Sequence, residues 1–183
     1  GKTTLFRVLT GLHAPQSGTV RVFGQDVTRL RAAERARLIG VVPQAIETPV
    51  AFTVEEMVLM GRTAALNRWT GPSSADWQIV ERAMVYTDVA SLRHRLFTQL
   101  SGGEKQRTVV AMALAQEPRL ILMDEATAHL DINHRFELMQ LIERLNTDQG
   151  VTTMIISHDL NLAADYCRRL ILLDHGRFVG DGK

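Results

Sequence analysis

The sequence predicts an α/β fold with a mainly parallel sheet, on three observations. From residue 104 onward, helix-like and strand-like segments alternate. The apolar run Leu120-Ile121-Leu122-Met123 ends in two carboxylates, Asp124 and Glu125. The chain opens on Gly1-Lys2-Thr3-Thr4, at the start of a stretch with no helix breaker. Alternation of this kind argues for parallel strands joined by helices that cover the sheet.

Each element follows from its own local signals. Lys2 to Leu9 runs without a breaker toward Gly11, a fitting C-cap, so it reads as a helix that starts at or just before Gly1. Thr19 to Phe23 alternates in strand fashion between Gly18 and Gly24, and Leu38 to Val42 is a short apolar run closed by Pro43. Thr53 with Glu56 makes a capping box ahead of Met57 to Met60, and Ser73 or Ser74 can cap a helix carrying Ile79, Val80, Ala83 and Met84. Residues 45–99 therefore read as a helical insertion, with 1–44 and 100–183 forming the core. There follow helix Glu104 to Gln116, strand Leu120 to Met123, helix Ile132 to Leu145, strand Thr152 to Ile156, helix Leu160 to Tyr166 and strand Leu170 to Leu173.

Composition bounds the rest. At 183 residues and 45% hydrophobic, the chain can bury one sizeable core without disulfides or metals. Its 21 basic and 20 acidic residues leave a formal charge of +1, too little for bulk attraction to nucleic acid or anionic lipid. Cys167 is the single cysteine, which suits a reducing, cytoplasmic setting. No apolar run approaches the roughly 18 residues of a membrane span, so attachment to a membrane must come through another protein. The first residues carry neither an initiator Met nor a leader, and the chain reads as cut, with something missing upstream.

Three motifs carry chemistry. Gly1-Lys2-Thr3-Thr4 matches the end of the phosphate loop GxxxxGK[ST], in which backbone N–H groups and a helix dipole face phosphates, Lys2 reaches the β and γ phosphates, and Thr3 offers a hydroxyl to Mg²⁺. An apolar strand delivering Asp124 and Glu125 at its C-terminal end places them where α/β folds bind ligands. Asp124 is then the Mg²⁺ ligand, and Glu125 accepts a proton from, or orients, an attacking water. Leu100-Ser101-Gly102-Gly103-Glu104-Lys105-Gln106-Arg107 sets a serine and two glycines at a helix start, which brings bare backbone donors close to an anion. A cap with no ligand is the plainer reading of that same segment.

This last segment resembles the signature sequence of the ABC ATPases, and the likeness extends over essentially the whole chain. The resemblance implies a P-loop NTPase (RecA-like) core with a helical subdomain and the remnant of a small antiparallel β subdomain, truncated at its N-terminus. It implies ATP and Mg²⁺ as ligands and a second ATPase subunit whose nucleotide Ser101, Gly102 and Gly103 would contact. Gln44, after Val41-Val42-Pro43, is similar to the family's Q-loop glutamine, which touches Mg²⁺ or the water and leads into the surface that meets a permease. His158 in Ile156-Ser157-His158-Asp159 resembles the switch histidine that contacts the γ-phosphate. Asp131 matches the D-loop aspartate that couples the two sites, and it suits a helix N-cap as well.

Two stretches, Phe52 to Arg62 and His158 to Cys167, are similar to the ATPases of metal-chelate importers, which serve uptake of ferric siderophores, haem or cobalamin. That group implies transmembrane permease subunits, indirectly an extracytoplasmic binding protein, and a place at the cytoplasmic face of the membrane. A ferric siderophore is the favoured cargo, with haem or cobalamin as alternatives. A non-transport ABC protein acting as a nucleotide-gated clamp is opposed by the near-neutral charge and the short helical insertion. Two departures stand out. Ala126 occupies the place where the family usually has proline, and the upstream glycine-rich half of the phosphate loop is absent, so this chain by itself is expected to bind ATP poorly. His129 and His134, five apart, do not share a helical face and make no metal pair; Cys167 reads as a packing residue, and Trp69 and Trp77 flank a loop in the helical insertion and need no ligand.

Overall fold

A computed structural model describes residues 1–44, 46, 50–66, 70–128 and 130–182. Trp69 and His129 lie outside the described residues, as does Ala45 at the start of the expected insertion.

Helix α1 (Lys2–Leu9) is followed by a short hairpin of β1 (Arg21–Val22) and β2 (Gln25–Asp26), then α2 (Ala32–Leu38) and β3 (Ile39–Val42). Two helices, α3 (Val54–Met60) and α4 (Ser74–Tyr86), precede α5 (Gly102–Leu114) and β4 (Leu120–Asp124). Helix α6 (Ile132–Gln149), strand β5 (Thr152–Ile156), helix α7 (Leu160–Tyr166) and a hairpin of β6 (Leu170–Asp174) and β7 (Arg177–Gly182) complete the order. Strands β3, β4 and β5 form a parallel sheet in that order, with Val42 opposite Met123 and Asp124 opposite Ile156.

Strand β4 decides the layering. Its residues are buried on both faces, and the two-residue alternation of a strand divides them. Ile121 and Met123 enter the larger core with α3 to α6, whereas Leu120 and Leu122 enter a smaller one with Phe6 of α1, Val22, Leu38, Ile39 and Ile156. By the same alternation Asp124 falls on the side of the sheet that α1 covers.

Helix starts follow the sequence closely. Thr53, Ser73 and Ser101 each accept a hydrogen bond from the backbone N–H three residues on, and Glu56, Asp76 and Glu104 reach back to the capping residue. Helix α5 therefore begins at Gly102, two residues before the expected Glu104, because Ser101 is the cap. Helix α6 runs to Gln149, one turn beyond Leu145, and stops where Gly150 adopts a left-handed conformation, φ 65°.

One expectation needs correction. The segment Leu170 to Leu173 does not continue the parallel sheet; as β6 it pairs antiparallel with β7. The cause is the turn between Asp174 and Arg177, where His175 and Gly176 both have positive φ, 44° and 78°. Consecutive left-handed residues match the twist of a two-residue hairpin. Phe23 and Gly24, φ 47° and 80°, do the same between β1 and β2 and cut the expected strand Thr19 to Phe23 to two residues. Among the described residues, no helix is long and apolar enough to cross a membrane.

Candidate functional site

The C-terminal ends of the three parallel strands bring together side chains that are far apart in sequence. Gln44, two residues past β3, donates from Nε2 to Oε2 of Glu125 at 3.4 Å. His158, two residues past β5, holds Nδ1 4.0 Å from Oε1 of the same carboxylate. Glu125 directly follows β4, and its backbone N–H donates to the Ile156 carbonyl at 3.1 Å, which ties the turn to the end of β5. The turn closes when the Ala128 N–H donates to the Glu125 carbonyl at 2.9 Å. Ala126, in the place expected for proline, is buried, and Glu125 takes a positive φ of 49°.

Asp124 ends β4 half-buried, beside Glu125. On the α1 side of the sheet, Gly1 caps a helix with no side-chain cap and no acid in its first turn, so its leading N–H groups face outward. Lys2, Thr3 and Thr4 are exposed on that turn, and Lys2 forms no ion pair with the carboxylates among the described residues. Helix α1 lies against β4. Among the described residues, no three or more His, Cys, Asp or Glu side chains are grouped to hold a metal ion. The strand ends and α1 offer instead the Asp124 carboxylate, the Gln44 amide oxygen and the Thr3 hydroxyl. These are hard oxygen donors, few enough to leave places for water and phosphate, a set that fits Mg²⁺.

The Ser101 turn lies elsewhere, at the start of α5. Ser101 N–H donates to Glu104 Oε2 at 2.7 Å and Glu104 N–H donates to Ser101 Oγ at 3.4 Å. The Ser101 N–H and hydroxyl hold the Glu104 carboxyl below the usual range. Ser101 and Gly102 are exposed, but Gly103 is buried under the ring of His134. Asp131 caps α6 and accepts from the His134 N–H at 3.0 Å; that bond, then the His134 ring, lowers its pKa. Asp131 and the Ser101 turn are thus joined to each other through His134, and among the described residues no side-chain hydrogen bond or ion pair links them to Glu125.

Sequence reasoning missed two groups of residues. In the sequence His134 stands out only as a candidate metal ligand. Arg62 was noticed only as part of a stretch, yet it is buried, with Nε donating to Asp76 Oδ1 at 3.1 Å and Nη1 to the Ala115 carbonyl at 2.9 Å and Glu117 Oε2 at 3.0 Å. A basic residue directly after Gly61, where the apolar run Met57 to Met60 ends, is the signal that could have marked it. Cys167 ends α7 half-buried, and burial pushes its thiol up, as a packing residue requires.

Comparison with known proteins gives one consistent picture. The profile of the ABC transporter family matches residues 1–128. The cobalamin import ATP-binding protein BtuD of Halobacterium salinarum is 41% identical over 97% of this chain and 44% of its own. The ferric enterobactin transport ATP-binding protein FepC of Escherichia coli K12 is 38% identical over 100% of this chain and 67% of its own. The chain thus spans well under two thirds of the first relative and about two thirds of the second. The dimeric post-hydrolysis structure of the ATP-binding cassette MJ0796, bound to ADP and Pi, superposes with a TM-score of 0.81 at 28% identity, over 100% of this chain and 80% of that one.

Proposed function

The chain belongs to the ABC transporter family of ATP-binding proteins, and from that premise we propose that it serves a subunit that hydrolyses ATP to drive uptake of a metal chelate, most specifically a ferric siderophore. The observation that carries this reading is the meeting of Gln44, Glu125 and His158 at the ends of three adjacent parallel strands. One acid flanked by an amide and an imidazole can accept a proton from a water and hold that water in line, and little else is required of side chains in phosphoryl transfer.

In this reading the first turn of α1 receives phosphate oxygens on its outward N–H groups, and Lys2 supplies a positive charge beside them. Thr3, Asp124 and Gln44 hold Mg²⁺, which when bound neutralises phosphate charge. His158 contacts the terminal phosphate while Glu125 takes the proton of the attacking water. Ser101, Gly102 and Gly103 face the nucleotide of a second copy of the subunit, and Asp131 lies at the junction between the two sites. Residues 45–99 form a helical subdomain; its groove, lined by Phe52, Glu56, Leu59, Met60, Thr63 and Leu66, meets a transmembrane permease. The subunit therefore works at the cytoplasmic face of the membrane, and an extracytoplasmic binding protein delivers the cargo to the permease.

The names of the relatives support the cargo class and leave siderophore, haem and cobalamin as members of it. The test is uptake: membrane vesicles carrying the full-length protein with its permease and binding protein are loaded with ATP, and accumulation of radiolabelled ferric siderophore is followed. ATP-dependent accumulation is expected. Accumulation of cobalamin or haem alone would reassign the cargo, and the absence of both ATP hydrolysis and uptake would overturn the motor reading.

A further inference from the structure

The start of α6 is built differently from its counterparts. Helices α3, α4 and α5 carry an acid at the third position, which reaches back to the capping residue. Helix α6 carries His134 there, and the ring is left with other work. Its Nδ1 lies 2.8 and 2.7 Å from the two carboxylate oxygens of Asp131. Since an ionised carboxylate only accepts, the proton sits on Nδ1. The carbon edge of the ring occupies the space above Gly103: a Cβ at position 103 would stand 2.2 Å from His134 Cδ2 and 2.8 Å from Cγ. No side chain but glycine fits beneath the imidazole. One turn along both helices, Arg107 Nη1 pairs with Glu137 Oε2 at 3.0 Å, a second contact between α5 and α6.

We propose that His134 is a positioning residue that joins the Ser101-Gly102-Gly103 turn to Asp131 within one subunit, so that an anion seated on the turn and the carboxylate at the head of α6 shift as one body. The inference rests on the two-subunit reading above and deepens it. A nucleotide brought to the Ser101 turn by the facing subunit presses on the Gly103 backbone; the imidazole transmits that displacement, and Asp131 turns with it. The ring stands so close to the buried Gly103 backbone, and is held so firmly by both carboxylate oxygens, that it cannot yield without moving Asp131. The cap from the His134 backbone N–H to Asp131 survives any substitution at position 134 except proline, so the variants used below change the ring and leave the helix start intact.

The contact is tested by melting the full-length protein. Gly103→Ala should lower Tm by about 5 °C or more with His134 present, as overpacking does, and by less than half as much in the His134→Ala background. Equal losses in both backgrounds would overturn the contact. The coupling is tested by ATP turnover in the full-length protein assembled with its permease. His134→Ala is expected to lower kcat about tenfold with KM changed less than twofold, and to bring the Hill coefficient for ATP down toward one. His134→Asn, whose amide donates from nearly the place of Nδ1, should restore most of the turnover, whereas His134→Gln, whose amide reaches too far, should not. Unchanged kcat and Hill coefficient in His134→Ala, or equal behaviour of the Asn and Gln variants, would overturn the coupling while leaving the ATPase reading in place. A wild-type protein without turnover would overturn both.

Discussion

Gln44 donates to Glu125 across 3.4 Å, although 81 positions separate the two in sequence. The contact exists because β3 and β4 pair in parallel with Val42 opposite Met123, so both residues leave the sheet at the same edge. An amide on one carboxylate oxygen leaves the other facing His158. Contacts on both oxygens fix the carboxylate without a ligand, and in the reaction proposed above such preorganisation would remove a cost.

If that oriented carboxylate is the base, Glu125→Gln keeps the shape and removes the proton acceptor. ATP turnover of the full-length protein with its permease should fall about 10²-fold or more, with ATP binding retained. Turnover equal to wild type would refute the assignment.

Arg62 joins the end of α3 to Asp76 on α4 and to Ala115 and Glu117 beyond α5. Replacing it by Leu takes one of three donors from the Asp76 carboxylate, which keeps the Ser73 N–H and hydroxyl, and leaves the buried Ala115 carbonyl without this donor. A loss of about 1–3 kcal/mol is expected in urea unfolding, because a buried carbonyl left without its donor costs about that much. Arg62→Lys keeps the charge but not the fork and should fall between. A loss under about 1 kcal/mol for Arg62→Leu would show that the network is not what holds these helices together.

The residue before it makes a second prediction. A Cβ on Gly61 would stand 2.0 Å from the Met112 carbonyl oxygen, which belongs to the α5 backbone and cannot rotate away. Gly61→Ala should therefore cost about 1–3 kcal/mol by thermal or urea denaturation, even though alanine is the better helix former.

Four capping carboxylates, Glu56, Asp76, Glu104 and Asp131, have pKa values held down, in Glu56, Glu104 and Asp131 chiefly by backbone N–H groups and in Asp76 chiefly by the Ser73 hydroxyl. Their folded values lie below the unfolded ones of about 3.9 for Asp and 4.3 for Glu. The unfolded chain thus binds more protons in this range, and stability rises with pH. Their contribution is complete above the unfolded values and is lost as pH falls through the folded ones. The urea midpoint should be flat between about pH 6 and 7 and should drop below about pH 4, a drop that Asp131→Asn reduces. No reduction in that variant would remove Asp131 from the set.

The parts of this fold that were legible in the sequence are those with local causes. Capping boxes at Thr53, Ser73 and Ser101 stand in the sequence as a hydroxyl followed three residues later by an acid. The two-faced burial of β4 stands there as an unbroken apolar run. The convergence of Gln44, Glu125 and His158 was legible for a different reason: each follows a strand, and parallel strands send their C-terminal ends to one edge. The hairpin of β6 and β7 was missed because Leu170 to Leu173 has the same apolar run as a parallel strand, and only the Asp174-His175-Gly176 turn distinguishes them. Arg62 and His134 were obscured by distance. Their partners Ala115 and Gly103 lie more than a helix away in sequence, and neither backbone group nor missing Cβ leaves a compositional trace.

The left-handed backbone at Glu125 sets fitness and folding against each other at one position. A glutamate held at φ 49° pays roughly 1 kcal/mol for a conformation that asparagine tolerates better. Glu125→Asn should therefore melt at a higher temperature than the wild type while turning over no ATP. If Glu125 is the base, a library of this protein selected for thermal endurance alone would tend to enrich inert molecules at this codon, and their gain would measure the strain that residue carries.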